Sequence, residues 1–410
     1  MRGPRVWETP IVCRSFLALI CALAWCDPLL ARDLTEADVI RLARRSDPEV
    51  WVARQEALLS AANEVEADLY PNPQLAWERE HLPGGALSES EDVVSLSVPI
   101  DVSGRRSARR ELARSETTLA QALAAQTQSE AVVRALLTYY EAVAARHRTQ
   151  ILRRMLERLE EAARVLGRRF EEGTVSGYAR TRLELEVEFV QSELRASESR
   201  AQVLERELGL LLGIENSVRL SDNLNTKSVA DASVPTRTKP SIRLMETSAK
   251  HAGAAQNGAG SAWVPTFSVT GGLKVATSDE TRYGYVAGVA LSIPLFSRGQ
   301  DVQGRAQAQQ RLAEARVVAH KRTAQMQVAR AGAEQAMAQQ ELQRFDQGTA
   351  ERVERLVRAA ESGYREGQRS ILELLDAQKA QASVEQRRLD LALAAKRAEI
   401  TLRAARGEFE

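Results

Sequence analysis

Cysteine is confined to the first twenty-six positions of this 410-residue chain, at Cys13, Cys21 and Cys26. That distribution excludes an internal disulfide framework. Aromatic residues make up only 5% of the chain, little for an enzyme that must fill one large core. No excess of charge of one sign exists either: 56 basic residues face 55 acidic ones. The electrostatic case for nucleic-acid binding therefore fails. Beyond the N-terminus there is no apolar run near eighteen residues, which excludes a body of membrane-spanning helices. Proline is missing between Pro99 and Pro235 and again after Pro294. These two gaps, rich in Ala, Arg, Glu, Leu and Gln, read as very long helices.

Catalytic chemistry has no inventory to draw on. His81, His147, His251 and His320 are scattered without ligand spacing, and the five methionines do not cluster. No glycine-rich phosphate loop follows a strand, and there is no nucleophile elbow. The expectation is a protein that is not an enzyme, with no catalytic residue, no metal site and no cofactor. Acidic pairs are numerous, but on helices this charged they read as solvated faces.

The N-terminus has the form of a secretory signal. Arg2, Arg5 and Arg14 precede an apolar run from Phe16 to Cys26 that is too short to span a bilayer. We assign residues 1–31 to this segment, with cleavage between 24 and 31. The alternative is a buried N-terminal helix. Cys26 could serve as a lipid-attachment site, although Trp25 before it is a poor fit.

The rest of the chain is internally duplicated. Leu96-Ser-Val-Pro99 through Gly104 recurs as Leu291-Ser-Ile-Pro294 through Gly299, an offset of 195 at both proline and glycine. Pro48 pairs with Pro240 and Pro73 with Pro265, at an offset of 192. Phe170-Glu-Glu-Gly173-Thr-Val-Ser176 pairs with Tyr364-Arg-Glu-Gly367-Gln-Arg-Ser370, at 194. The expected organisation is a first repeat over 32–222, a linker over 223–238 and a second repeat over 239–410.

Each repeat reads as a helix, two strands and two long helices. Leu34 to Tyr70 is expected to be one helix with Thr35 as its N-cap, stopped at Pro71-Asn-Pro73. Gln74 to Arg79 is a short strand, and His81 to Gly85 has turn chemistry. Val94, Leu96, Val98 and Ile100 then alternate with Ser95 and Ser97. In the second repeat, Phe267, Val269 and Leu273 alternate with Ser268 and Thr270, and Tyr283, Tyr285, Val289 and Leu291 with Gly284, Gly288 and Ala290. Such alternation fits a soluble sheet with one buried face, or barrel strands with an apolar side toward lipid. Strands of about ten residues and the absence of any apolar cover favour lipid. Four strands cannot close a barrel, so several chains must pool theirs.

Leu152, Leu156, Leu159, Ala163, Leu166 and Phe170 follow the spacing of a knobs-into-holes seam. A helix from Gly104 to Leu166 would be on the order of 90 Å long. Gly173 and Gly367 each suit a tight turn between two long helices. After the second turn, Arg369, Glu373 and Asp376 share one helical face, with Ile371, Leu374 and Leu375 on the other. The plain reading of that face is a solvated surface with an i, i+4 ion pair.

Taken together, these features resemble the TolC-like outer-membrane efflux channels. The residues that carry the resemblance are the duplicated Ser-Val-Pro99 and Ser-Ile-Pro294 strand-to-helix junctions, Tyr364-x-x-Gly-x-x-Ser370, and Ile371 to Ala377. Leu69-Tyr-Pro-Asn-Pro-Gln-Leu75 is similar to the opening segment of the heavy-metal branch (cobalt-zinc-cadmium and copper-silver). The resemblance implies a mainly α fold with a small β part, in which a homotrimer forms a twelve-stranded transmembrane β-barrel on a periplasmic α-helical barrel. It also implies outer-membrane lipid around the barrel, a periplasmic adaptor at the tips and an inner-membrane pump of RND type. Glu373 and Asp376 match the family's acidic ring, and Tyr364 and Arg369 match residues that hold the closed tip. Gly173 and Gly367 would mark the turns that meet the adaptor. Pro99, Gly104, Pro294 and Gly299 would mark the passage from barrel to tunnel. The first repeat departs from the pattern: Ala179 stands where an acid often occurs, with Arg180 and Arg182 nearby, so the partner of Arg369 is open. The function implied is a passive export duct for metal cations or small toxic compounds. Alternatives are the exit channel of a type I secretion system and, in a different class, a soluble periplasmic coiled-coil adaptor or scaffold.

Overall fold

The computed structural model describes residues 33–82, 89–101, 103–214, 219–221, 224, 239–296, 298–366 and 368–409. The signal segment with its three cysteines, the linker apart from Leu224, and Gly367 lie outside the described residues.

Two short helices come first, α1 (Glu36–Ser46) and α2 (Pro48–Ala67). They replace the single helix expected from Leu34 to Tyr70. Pro48 is the cause: its ring disfavours helical geometry at the residue before it, and Asp47 is extended at φ −62° and ψ 127°. Pro48 then opens α2 from a position where its missing N–H costs nothing, while the Asp47 carboxylate caps Glu49 and Val50. Thr35 caps α1 as expected, in a reciprocal box with Asp38.

Strands β1 (Gln74–Leu82) and β2 (Glu89–Ile100) follow, then α3 (Arg105–Glu171) and α4 (Gly177–Leu212). β1 runs three residues beyond the expected Arg79, because its ladder with β2 continues to Leu82 opposite Glu89. The second half repeats the order: α5 (Pro240–Ala259) with a short 3₁₀ turn, β3 (Thr266–Thr277), β4 (Thr281–Ser292), α6 (Gln300–Arg365) and α7 (Ile371–Ala405). At 67 and 66 residues, α3 and α6 are each about 100 Å long. The molecule is mainly helical, with one antiparallel sheet in the order β1-β2-β3-β4.

α3 is the spine, in contact with α1, α2, α4, α5 and α7. Around its middle, Leu136, Tyr139 and Val143 pack with Val39 of α1, Leu208 and Leu212 of α4 and Ile400 of α7. The Tyr139 hydroxyl donates to the carbonyls of Leu34 (3.0 Å) and Ser221 (3.2 Å), tying both chain segments to the spine.

Beside this core lies a buried charge network. Lys396 and Glu399 are only 3% and 4% exposed and pair at 3.0 Å. Glu36 of α1 takes Arg403 at 2.5 Å, Lys396 at 3.5 Å and the Tyr140 hydroxyl. Burial pushes the Glu36 carboxyl up, but hydrogen bonds from Arg403 and Tyr140 and the charge of Lys396 outweigh it, leaving it below its ordinary 4.5. Ionised Glu36 therefore stabilises the fold above about pH 4.5, and that contribution is lost as pH falls through the lowered folded value. Denaturant unfolding of Glu36→Gln should accordingly show a smaller loss of stability between neutral and acid pH than the parent chain. Lys396→Ala, which leaves buried Glu399 only the more distant Arg403 at 3.9 Å, should cost roughly 3 kcal/mol at neutral pH.

Candidate functional site: the sheet face and the helical tips

In the sheet, side chains alternate between two faces, and the register aligns the apolar ones. Leu75 lies opposite Leu96, Trp77 opposite Val94, Val98 opposite Val269, Leu273 opposite Tyr285, and Val275 opposite Tyr283. Most of this common face is exposed, up to 84% at Tyr285, with Val275 half-buried, and among the described residues no helix covers it. The opposite face carries Ser95, Ser97, Ser268, Thr270, Gly272, Gly284 and Gly288. Ser97 accepts a hydrogen bond from Thr270 at 3.1 Å, and Lys274 pairs with Glu91 at 2.5 Å. β2 and β3 approach so closely at Gly272 that a Cβ there would lie 2.5 Å from the carbonyl oxygen of Val94. β1 and β4 are free edges of the described sheet.

The strand-to-helix junctions repeat in conformation as well as in sequence. Gly104 and Gly299 sit at the N-caps of α3 and α6 with φ of +72° and +78°, a left-handed geometry that a side chain resists. Pro294 follows the end of β4. Pro99 lies within β2 opposite Ser268 of β3, beyond the end of β1, whose first paired residue Gln74 stands opposite Ser97. The surroundings differ between repeats. Arg105 donates to the carbonyls of Ser261 (3.3 Å) and Val264 (2.8 Å), and Arg106 to the carbonyl of Asp68 (2.7 Å) while lying over the Tyr70 ring. The second junction has Gln300 and Asp301 at those places.

At the far ends of the long helices, α3 turns into α4 through Gly173, which has φ +70°. Ser176 caps α4 by accepting from the Ala179 N–H at 3.3 Å. The second turn passes through Gly367, outside the described residues. On its flanks, Gln368 and Arg369 donate to the Gly363 carbonyl at 2.8 and 3.0 Å. The Arg369 stem crosses Gly363 so tightly that a Cβ there would lie 2.8 Å from it.

Glu373 completes a capping box with Ser370, its carboxylate 3.4 Å from the Ser370 N–H, and lies 3.6 Å from the Arg369 guanidinium. The expected i, i+4 pair is thus present, but its carboxylate also serves the helix start. Ala179 in the first repeat has no oxygen to play that part, which is why α4 has a cap and α7 a box. Asp376 is exposed one turn further on, and Ile371, Leu374 and Leu375 are buried on the other face. The expected seam is present too: Leu152, Leu159 and Leu166 are buried, while Phe170 stands more open.

Arg369 pairs with Glu373 of its own repeat, and other residues tie the two hairpins. Arg169 lies over the Tyr364 ring at 5.0 Å. Glu186 of α4, buried, takes Lys379 of α7 at 2.5 Å and Arg182 at 3.3 Å. Above it, Arg154–Glu385 (3.0 Å) and Arg148–Asp390 (2.5 Å) bridge α3 and α7. Sequence reasoning missed Glu186 and Lys379 because they lie far apart in the chain. One signal existed: only seven lysines occur among so many arginines, all beyond residue 226, so each marks a chosen place.

Residues 237–408 match the family model described as outer membrane efflux protein. The nickel-cobalt-cadmium resistance protein NccC of Alcaligenes xylosoxydans xylosoxydans is 28% identical over 296 residues, covering 69% of this chain and 67% of its own. Among solved structures, CusC aligns with a TM-score of 0.75 at 19% identity, over 92% of each chain. The CmeC outer-membrane channel of Campylobacter jejuni aligns with a TM-score of 0.75 at 15% identity, over 99% of this chain and 94% of that one.

Removing the cap tests the tip geometry: Ser370→Ala should cost about 1 kcal/mol and speed amide exchange at Glu373 and Leu374, leaving the α4 start unchanged. Residues 237–408 are thus similar in sequence to the outer membrane efflux proteins, and nearly the whole chain shares the fold of the CusC and CmeC channels.

Proposed function

We propose that this protein is the outer-membrane exit channel of a tripartite system exporting heavy-metal cations. The observation that carries the reading is the sheet: an exposed apolar face, a small polar face behind it, and two unpaired edges. Strands of twelve residues at the usual tilt rise roughly 30 Å, the thickness of the hydrocarbon core. An open edge is not stable there, so three copies close a twelve-stranded barrel and their long helices continue it as a periplasmic tunnel. We read 32–222 and 239–410 as the two repeats of each copy, joined by 223–238. A soluble adaptor or scaffold would have no use for the uncovered apolar sheet.

The cargo assignment rests on the resemblance to NccC, a nickel-cobalt-cadmium resistance protein. A passive duct need not chelate what it conducts, and the work is done by an inner-membrane pump of RND type acting through a periplasmic adaptor at the turns around Gly173 and Gly367. At the tip, Glu373 and Asp376 of three copies make a ring of six carboxylates, which attracts cations as acidic rings do in other pores. Asp376, exposed and outside the capping box, is the freer member. Tyr364 and Arg369 set the tip's shape, the first under Arg169 and the second across Gly363. Pro99, Gly104, Pro294 and Gly299 turn the chain from barrel into tunnel.

Planar-bilayer recording tests the ring. Asp376→Asn with Glu373→Gln should weaken multivalent-cation block about tenfold, a change of 1.4 kcal/mol, with the unheated gel position unchanged. Unaltered block and selectivity would remove these residues from the pore. Recovery of the wild-type chain as a monomer in the soluble periplasm would end the channel reading altogether.

A further inference from the structure

An open cavity of about 860 Å³ lies at the start of α5, walled by α3 and α6 and by the last turns of α7. That volume falls in the range of small-molecule sites. Four polar atoms of residues on its wall are buried and have no hydrogen-bond partner among the described residues: Gln126 Oε1, Arg134 Nε, Ser241 Oγ and His320 Nε2. Buried polar atoms are ordinarily paired, so four orphans around one cavity call for a partner.

The internal duplication indicates what that partner is. In the first repeat α2 also starts at a proline, Pro48, and the residues on either side of it are acids. The Asp47 carboxylate accepts from the Glu49 N–H at 2.9 Å, and Asp47 and Glu49 both take Arg134, at 3.0 and 2.9 Å. At the offset of 192 that relates the short helices, Asp47 becomes Lys239, Pro48 becomes Pro240 and Glu49 becomes Ser241. The proline start is kept and both carboxylates are gone. α5 accordingly has no side-chain cap, and no acid stands in its first turn to balance the positive end of its dipole. Lys239 adds a further positive charge there. Burial pushes its ammonium below the ordinary 10.5, against the pull of Glu130, and the acceptor it reaches is the neutral Gln327 Oε1 at 2.9 Å. Both carboxylates on the wall are already matched, Glu130 to Gln126 at 2.8 Å and Glu334 to Arg330 at 2.7 Å.

We propose that this cavity is an anion-binding site, which takes the carboxylate or phosphate group of a small solute where the first repeat uses its own Asp47. The Lys239 ammonium, the Ser241 hydroxyl and the Arg134 Nε–H are donors, and His320 Nε2 is a fourth when the ring carries its proton there. Gln126 Oε1, the one obligate acceptor, fits the hydroxyl of a monoprotonated phosphate or of a hydroxy acid. The uncapped helix start favours negative charge through its free N–H groups and its dipole. Val133, Leu137 and Ala331 give the cavity an apolar side for the carbon body of such a solute. Held there, the anion ties α3 of the first repeat to α5 and α6 of the second. All of these groups belong to one copy, so loss of the site would leave the channel reading intact, and loss of the channel reading would leave the site.

Isothermal titration of the full-length chain in detergent, at constant ionic strength in chloride, tests the site with inorganic phosphate and with hexanoate, a carboxylate on a short apolar tail. At least one should bind at one site per chain, the tighter identifying the head group, and neutral hexanol should not bind. Lys239→Asp places the first repeat's own carboxylate at the start of α5 and should weaken anion binding about tenfold or more. Ser241→Ala, which removes one buried hydroxyl, should weaken it about fivefold. Thermal unfolding of each variant shows whether it folds as the parent does; should Lys239→Asp fail to melt cooperatively, Ser241→Ala decides alone. No anion binding by the parent, or equal binding by the parent and the folded variants, would overturn the proposal. Hexanol binding as tightly as hexanoate would overturn the anion assignment.

Discussion

Everything in this architecture depends on where the backbone of four strands can be satisfied. Within the chain, β2 and β3 are paired on both sides, whereas β1 and β4 each present one open row of amides and carbonyls. In the hydrocarbon of the proposed channel such rows would find no water to bond. In the channel proposed above, closure by further copies satisfies the row and covers the edge. The long helices are tied to these strands, because each begins within eight residues of a strand end, just after a left-handed glycine.

The two repeats share this plan but divide the labour unequally. The first junction is fixed inside the chain, with Arg105 and Arg106 binding carbonyls at the ends of α5 and α2. The second has Gln300 and Asp301 at the same places. At the tips the inequality reverses: the second repeat has the capping box, the Arg369 stem over Gly363 and the two carboxylates, while the first has Ala179 and a single cap. In the proposed three-fold ring a duplicated unit would give six similar positions, and such differences would reduce them to three pairs. The polar ties between the hairpins, Arg169 to Tyr364 and Glu186 to Lys379, then run between unlike partners.

Much of this was legible in the chain. The prolines marked the strand–helix junctions, the alternation from Val94 to Ile100 named the exposed face, and the leucines from 152 to 166 named the buried seam. All three follow from local periodicity, which a sequence displays directly. The break at Asp47 was also legible, since Pro48 forbids a continuous helix there, but the surrounding periodicity masked it. The buried group of Glu36, Tyr140, Lys396 and Arg403 was not legible, because its members come from three helices distant in sequence and look like any solvated charges.

By itself the sequence determined the element order, the duplication and its offsets, and which face of each strand and helix is apolar, because these depend only on residue type and spacing. The tertiary structure decided what those faces meet. It left the apolar side of the sheet and one side each of α2 and α6 uncovered, while burying charges such as Lys396 and Glu186 beside partners. Side-chain pairing across elements depends on three-dimensional register, and no linear pattern of charge contains it. The scarcity of cysteine and of apolar runs acquires its meaning at this level: the fold relies on long packed helices, and the described sheet keeps β1 and β4 as open edges.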